Sequence, residues 1–238
     1  MRKDSITLLI MTLNEIDGVK KIMPQINKKL FDKILIVDGG SNDGTIEWLR
    51  KNKYDVYIQK QKGFRHAYQE VWDKLKTEYA VTFSPDGNSL VSKLPELCNE
   101  LRKKKYEMII VSRYLDDAKS YDDDFITSFG NKLFTKTTNI LYKGNLTDTM
   151  VIFRGYKTNL PKRLGLLNDS AYEIFEKVFC TKISWEPLLS VRVLKNKLKY
   201  KEIPGDEPPR IGGERKLQII RWGLAYYSQI LFDIFRKD

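Results

Sequence analysis

The chain has 238 residues, of which 42% are hydrophobic and 12% aromatic, and this composition excludes an intrinsically disordered protein. A chain of this length fits one α/β domain with room for a small appendage. Lysine and arginine number 42 against 31 acidic residues, which gives a formal net charge of +11. Such a charge favours phosphate-rich partners, namely nucleotides, nucleic acid or an anionic membrane surface, although a solvated basic surface explains it equally well.

Strands and helices are predicted to alternate through the first half of the chain. We expect strands over residues 6–11, 33–37, 55–60, 79–83 and 107–113, and helices over 16–30, 45–51, 65–78 and 94–105. This alternation predicts a doubly wound, mostly parallel sheet with helices on both faces. In such sheets, ligands bind beyond the carboxyl ends of the strands.

After about residue 115 the pattern changes to an acidic loop followed by an amphipathic segment over residues 129–145. The tail, residues 217–238, has apolar side chains at alternating spacings of three and four, which predicts an amphipathic C-terminal helix. Its apolar stripe comprises Leu217, Ile220, Leu224, Tyr227, Leu231 and Ile234. This stripe is expected to pack on the core or on a second subunit, or else to lie in a membrane interface.

The cysteine and histidine contents argue against several kinds of site. Cys98 and Cys180 lie far apart without metal-ligand spacing, and His66 is the single histidine. A disulfide framework, a structural zinc site and a Ser–His–Asp triad are therefore poorly supported, and His66 is expected to be a surface or capping residue. The N-terminal apolar stretch is too short for a signal peptide, and no apolar stretch is long enough to span a bilayer. We expect a reduced, cytoplasmic protein.

The second predicted strand runs directly into a polar turn, ILIVDGGSNDGT. Asp38 stands at the carboxyl end of the strand, where a nucleotide would lie, and Gly40 helps the backbone to turn tightly against a ligand. The alternative is that Asp38 simply caps or shapes the turn. The dinucleotide fingerprint G-x-G-x-x-G is absent, which argues against a nicotinamide or flavin enzyme.

Other predicted strands also end in polar residues. Glu15 follows the first strand, and the fourth is followed by Asp86 and Asn88, two oxygen ligands two residues apart. Mg²⁺ and Mn²⁺ bind few protein oxygens and keep their remaining positions for water and diphosphate oxygens. Asp86 with Asn88 therefore predicts a metal site, with an ordinary Asp-Gly turn as the alternative. Lys62, Gly63 and Arg65 stand at the start of the third predicted helix.

In this order, these segments resemble the family 2 glycosyltransferases of the GT-A fold, which is Rossmann-like, and most of all the branch of dolichol- and polyprenol-phosphate sugar synthases. The resemblance lies in the stretches MTLNE, VDGGSNDGT, KGFRHA, SPDGNS, VSRY, TDTMVIFRGYK and YKEIPGDEPPRIGGERKL. It implies a GT-A domain over 1–216, with a nucleotide-sugar half over 1–115 and an acceptor half over 116–216, before the C-terminal helix.

The resemblance implies a metal-dependent, inverting transfer of a sugar from a nucleoside-diphosphate sugar to a polyprenyl or dolichyl phosphate. Glu15 and Asp38 would hydrogen-bond the base and ribose, and Asp86 with Asn88 would hold Mg²⁺ or Mn²⁺ on the diphosphate. The expected donor-binding residues are Thr12, Leu13, Glu15, Asp38, Gly40, Lys62, Gly63, Arg65 and Asp86.

A lipid phosphate is already anionic near neutral pH, so the expected acceptor needs cationic placement rather than a strong general base. The expected acceptor-binding residues are Arg113, Arg154, Arg210 and Lys216; the first three, together with Asp86, are the expected catalytic residues. Contact with the cytoplasmic face of a membrane through Leu217–Phe235 would then be peripheral.

Some residues depart from the family pattern. Met11 replaces the usual proline, and Arg215 replaces a serine. Ser84 stands in place of the first acidic residue of the metal motif, and Asn88 in place of a glutamine, so the motif carries less negative charge.

Two other interpretations remain open. One is a soluble family 2 glycosyltransferase that acts on a glycan or a small molecule. The other, from a different class, is a non-catalytic protein that binds nucleotides or RNA through its basic surface. The lysines and arginines are dispersed and no RNA-binding aromatic motif occurs, so no nucleic-acid partner is expected.

Overall fold

The structure is a computed structural model that describes residues 2–212 and 219–236. Within these residues, seven strands form one sheet in the order β3-β2-β1-β4-β6-β5-β7. The strands are β1 (Arg2–Thr12), β2 (Lys33–Asp38), β3 (Asp55–Ile58), β4 (Thr77–Phe83), β5 (Met108–Ser112), β6 (Arg154–Lys157) and β7 (Tyr200–Pro204). The first five are the strands expected from the sequence.

The sheet is mostly parallel, as predicted. Only β6 runs antiparallel to its neighbours β4 and β5 among the described strands. The sequence pattern does not predict β6 or β7, because β6 has four residues and β7 is only partly buried. Both strands come from the part of the chain after residue 115, so the first and second parts of the chain share one sheet.

The described helices lie on both faces of this sheet. They are α1 (Ile16–Ile22), α2 (Thr45–Lys51), α3 (Phe64–Trp72), α4 (Leu94–Arg102), α5 (Phe125–Tyr142), α6 (Leu160–Arg163), α7 (Glu173–Val178), α8 (Glu186–Lys195) and α9 (Ile219–Phe232). The helix predicted over 16–30 is shorter than expected: 3₁₀ turns follow it, the first containing Pro24, which lacks the N–H that an α-helix needs. The sequence does not predict α8, because most of its residues are buried and it shows no polar face.

Alternate residues of β1 pack on opposite faces of the sheet. Leu9 and Met11 belong to the hydrophobic cluster that includes residues of α3 and α8. Leu8 and Ile10 belong to a second cluster that includes residues of α1 and α4. A strand covered on both faces needs apolar residues at successive positions, and this explains the continuous apolar run in the sequence.

The register of the central strands brings their polar ends together. Thr12 at the end of β1 pairs with Asp38 at the end of β2. Phe83, the last residue of β4, pairs with Ile10 of β1. The loops that follow these three parallel strands therefore leave the sheet at the same edge.

The C-terminal helix α9 packs against α5, α7 and α8. The face that it buries carries Ala225, Tyr226 and Ile230. Most of the stripe expected from the sequence points outward: Ile220, Leu224, Leu231 and Ile234 are 41% to 76% exposed. Tyr227 instead contacts Phe134 of α5, and Leu217 lies outside the described residues. In the described part of the chain, no helix has the length and apolar character required to cross a bilayer.

Candidate active site

The loops after β1 and β2 are joined by backbone-to-side-chain hydrogen bonds. The backbone N–H of Asn14 donates to Ser41 Oγ at 2.8 Å, and the Asn14 side chain accepts from the backbone N–H of Asn42 at 2.9 Å. The backbone N–H of Glu15 donates to Thr45 Oγ1 at the start of α2, at 3.0 Å. These bonds fix Glu15 relative to the turn that follows β2.

Asp38 organises that turn. Its carboxylate is fully buried and accepts hydrogen bonds from Thr12 Oγ1, from the backbone N–H groups of Gly40 and Ser41, and from Ser41 Oγ, at 2.7 to 2.9 Å. Gly40 has a φ of 90°, which favours glycine. Asp38 therefore shapes the turn after β2, and a direct bond to a ribose would compete with these four donors.

Arg210 brings together two of the predicted residues. Its Nη1 lies 3.1 Å from Glu15 Oε1, and its Nη2 lies 2.9 Å from Asp86 Oδ2. Both carboxylate side chains are almost fully buried. Two carboxylates share this one guanidinium, so the cluster keeps a net negative charge that suits a further cation.

The loop that carries Asp86 is held in place by the segment after β7. The backbone N–H of Ile211 donates to the Asp86 carbonyl at 2.7 Å. Gly87, between the two expected metal ligands, has a φ of 95°, and a Cβ there would lie 2.7 Å from the Ile211 side chain. Glycine thus permits both the turn and the close approach of Ile211.

Asp86 and Asn88 have the chemistry that a hard divalent cation requires. The backbone N–H of Asn88 donates to Asp86 Oδ1 at 3.0 Å, so the two residues form one compact turn. Asn88 Oδ1 is buried and has no hydrogen-bond partner among the described residues. Within those residues, no group of three His, Cys, Asp or Glu side chains is arranged to hold a metal. A cation here would depend on one carboxylate, one amide oxygen, water and ligand oxygens.

Asp122, in the acidic loop before α5, is a site residue that the sequence analysis misses. Its Oδ2 accepts from Asn88 Nδ2 at 3.0 Å, and its Oδ1 accepts from the backbone N–H of Arg210 at 3.4 Å. The acidic stretch contains several aspartates without a distinguishing spacing, so the sequence offers no signal that selects this one.

Arg113 lies in a separate buried network. Its Nε and Nη2 donate to the two carboxylate oxygens of Asp148 at 2.6 and 3.0 Å, and its Nη1 lies 3.2 Å from Glu207. Burial alone would lower the pKa of Arg113, but the two carboxylates raise it well above its usual value. Burial also acts to raise the pKa of Asp148, but Arg113 outweighs this and lowers it, whereas Glu207 keeps a raised pKa because of its burial.

Arg154 is not positioned to meet an acceptor. Its side chain is fully buried and donates to the carbonyl of Val151 at 2.8 Å and to Ser190 Oγ at 3.0 Å. Burial lowers its pKa. The expectation that Arg154 places the acceptor phosphate is therefore corrected: in this structure it connects β6 to α8 within the core.

Arg65 is also engaged within the protein. It is 2% exposed, pairs with Asp169 and with Glu176 at 3.0 Å, and stacks over the Tyr172 ring. A contact between Arg65 and a diphosphate would first require these pairs to break. Lys62, by contrast, is exposed, and its carbonyl accepts from His66 Nδ1 at 2.7 Å.

The remaining expected site residues fall into three groups. Thr12 is buried as the partner of Asp38, whereas Leu13 is exposed beside it. Gly63 stands at the start of α3 with a φ of 117°. Lys216 lies outside the described residues.

A groove of about 460 Å³ lies between α5, Tyr114 and the segment of residues 144–147, beside the Arg113 network. Lys132 and Lys136 line it together with Tyr114, whose hydroxyl donates to Asp123. Ile140 contributes an apolar wall, and other apolar side chains of α5 are exposed nearby. The sequence shows these lysines as dispersed charges, so the groove emerges only from the folded chain.

The family model described as "Glycosyl transferase family 2" matches residues 7–165. The chain belongs to glycosyl transferase family 2. It is therefore a glycosyltransferase, as predicted. This family 2 glycosyltransferase is 22% identical over 236 residues to Glycosyltransferase AglJ of Haloferax volcanii, a match that covers 98% of this chain and 72% of that protein.

Solved structures share the fold of this family 2 glycosyltransferase. A mycobacterial protein superimposes with a TM-score of 0.70 at 13% identity, covering 98% of this chain and 76% of the other. Glucosyl-3-phosphoglycerate synthase from Mycobacterium tuberculosis, in complex with Mn²⁺, UDP and glucosyl-3-phosphoglycerate, superimposes with a TM-score of 0.66 at 14% identity, covering 98% and 81%. These identities show the fold alone, and the GT-A fold expected from the sequence is confirmed.

Proposed function

We propose that this chain is a metal-dependent, inverting glycosyltransferase that moves a hexose from a nucleoside-diphosphate sugar to a polyprenyl phosphate. The observation that carries the proposal is the cluster in which Arg210 joins Glu15 and Asp86, after the ends of β1 and β4. Beside it lies Asn88 Oδ1, which has no hydrogen-bond partner in the part of the chain that the structure describes. Together they bring a guanidinium and hard oxygen ligands to the sheet edge where donors bind in this kind of fold.

The part of the proposal that concerns the donor is supported by the charges of the cluster and of the diphosphate. The diphosphate of a sugar nucleotide brings anionic oxygens, and Arg210 could move from its carboxylates to these oxygens as a cation takes its place. Asp86 and Asn88 would hold Mg²⁺ or Mn²⁺, which, when bound, would offset the negative charge developing on the leaving nucleotide. A fold neighbour, the mycobacterial synthase, has been crystallised with Mn²⁺ and UDP-glucose, which supports a donor of this class.

The transfer itself would need little acid–base help. A phosphate oxygen of the acceptor attacks the anomeric carbon, a new C–O bond forms, and the bond to the diphosphate breaks with the electron pair leaving on the nucleotide. Attack opposite the leaving group inverts the configuration. The chain's task is then to bring two anions together in line, which requires positive charge and placement rather than a strong base.

The part of the proposal that concerns the acceptor rests on the groove beside α5 and on the exposed side chains of α9. Lys132 and Lys136 supply two ammonium groups in the groove beside Tyr114. Apolar side chains that are exposed on the two helices include Phe129, Leu133, Ile140, Ile220 and Leu224, of which Ile140 lines the groove. Lysines next to exposed apolar groups suit a phosphate attached to a prenyl chain, and they suit peripheral contact of α9 with an anionic membrane surface.

The test is transfer of radiolabelled sugar from UDP-, GDP- and CDP-sugars, with and without polyprenyl phosphate in detergent. We expect label in the lipid phase for at least one donor, and only with Mn²⁺ or Mg²⁺ present. The variant Ile220→Glu with Leu224→Glu should slow transfer to lipid, whereas Lys51→Glu, which makes the same change in net charge at an exposed position at the end of α2, should not.

A soluble acceptor is the second candidate, because the mycobacterial neighbour is a glucosyl-3-phosphoglycerate synthase. The same assay therefore includes 3-phosphoglycerate and short glycans in place of the lipid. Label that enters a soluble product and never the lipid phase would replace polyprenyl phosphate with that acceptor. Absence of transfer from every donor to every acceptor would contradict the enzyme assignment at this site.

A further inference from the structure

The two ends of the Asn88 side chain have different surroundings. Nδ2 donates to Asp122 Oδ2 at 3.0 Å, whereas Oδ1 is buried without a partner among the described residues. Rotating the amide by half a turn would place Oδ1 against the carboxylate, which is repulsive. Asp122 therefore determines which end of the amide points away from the acidic loop.

Asp122 is itself held from both sides by the segment that follows β7. The backbone N–H of Tyr121 donates to the Glu207 carbonyl at 2.8 Å, and Ser120 Oγ donates to the Glu207 carboxylate. Asp122 Oδ1 accepts from the backbone N–H of Arg210 at 3.4 Å. The loop that carries the Asp122 carboxylate is therefore fixed by hydrogen bonds to the segment after β7.

We propose that Asp122 is a positioning residue for Asn88, which orients and polarises the amide so that Oδ1 faces the divalent cation; this rests on the metal site of the proposed function. A hydrogen bond from an amide N–H to a carboxylate increases the negative charge on the amide oxygen. Partners of this kind behind a ligand hold its geometry and raise its affinity for metal.

The serine at position 84 supports this positioning role of Asp122. Ser84 leaves the metal loop one carboxylate short of the family's motif, and an amide is a weaker ligand than a carboxylate. Asp122 returns part of the missing charge from a different loop, acting through Asn88. It also binds the backbone of Arg210, so the same residue supports the arginine that joins Glu15 and Asp86.

The test measures Mn²⁺ affinity by electron paramagnetic resonance, titrating MnCl₂ into the protein with and without UDP. Asp122→Ala should weaken Mn²⁺ binding by about 10- to 100-fold. Asp122→Asn keeps an oxygen that accepts from Asn88 Nδ2, so it should restore affinity to within about threefold of wild type. Asp117→Ala removes an exposed charge from the same loop and should have no effect.

The outcomes separate this inference from the proposed function. Wild-type affinity in Asp122→Ala would overturn the positioning role and leave the metal site standing. Equal weakening in Asp122→Asn and Asp122→Ala would also overturn it, because an oxygen at position 122 that accepts from Asn88 Nδ2 would then not preserve the orientation of the amide. A wild-type protein that binds no Mn²⁺, with or without UDP, would overturn both. Melting temperatures recorded in parallel identify a variant that has lost its fold.

Discussion

The turn after β2 and the loop after β4 place an aspartate in similar positions but use it differently. Asp38 and Asp86 both follow or end a central parallel strand, and both are almost fully buried. Asp38 accepts four hydrogen bonds, from its own turn and from the neighbouring Thr12. Asp86 accepts from one backbone N–H of its own turn and pairs with an arginine from the far end of the chain.

This difference indicates that Asp38 has a structural role, whereas Asp86 is available to a ligand at the same edge of the sheet. A carboxylate saturated by local donors is needed to form its turn. A carboxylate paired with a distant side chain can exchange that partner for a ligand. We therefore expect loss of Asp38 to appear mainly as lost stability, and loss of Asp86 mainly as lost activity.

The largest expected effect is on turnover in Asp86→Ala. A metal ligand lost at the diphosphate removes several kcal/mol of transition-state stabilisation, so the rate should fall on the order of 100-fold or more. The fold should survive, because Arg210 retains Glu15 as a partner. Sugar transfer and thermal melting are measured on the same preparation. Asp73→Ala, at an exposed position, is the control, and unchanged turnover in Asp86→Ala would remove Asp86 from the metal site.

A smaller effect is expected in Asp38→Ala, and it should appear in the free energy of unfolding and not in turnover. The change leaves buried donors of the turn without an acceptor, which should lower the free energy of unfolding by about 2–4 kcal/mol. Urea unfolding followed by tryptophan fluorescence measures this loss, and Asp86→Ala should unfold close to wild type. If Asp38→Ala were as stable as wild type but failed to bind a sugar nucleotide, Asp38 would bind the ligand directly, and its assignment to a structural role would be wrong.

The sequence predicts well that the loops after β1, β2 and β4 meet at one edge of the sheet, because this placement depends on short-range order. A buried strand followed by polar residues is visible locally, and parallel strands deliver Glu15, Asp38 and Asp86 to one edge whatever the details of packing. The five strands of the first half and the mostly parallel sheet are confirmed for the same reason.

The second half of the chain is harder to predict because the roles of its residues depend on packing between distant segments. Arg154 and Arg210 both lie in stretches that resemble the family, yet one is fully buried against α8 and the other joins two carboxylates. Nothing in either local sequence distinguishes them. The sequence also does not predict that the apolar stripe on α9 points outward, because residue spacing identifies a face of a helix but not what that face contacts.

The central claim is that Glu15, Asp86, Asn88 and Arg210 form one cation-dependent diphosphate pocket. The most direct test is the melting temperature of the wild-type protein with UDP-, GDP- and CDP-sugars, in Mn²⁺ and in EDTA. A donor present at a hundred times its dissociation constant adds about 2.7 kcal/mol, which should raise the melting temperature by roughly 5–10 °C. We predict such a rise for at least one donor in Mn²⁺, and its loss in EDTA and in Asp86→Ala. The absence of any rise, or an equal rise in EDTA and in Asp86→Ala, would contradict the pocket.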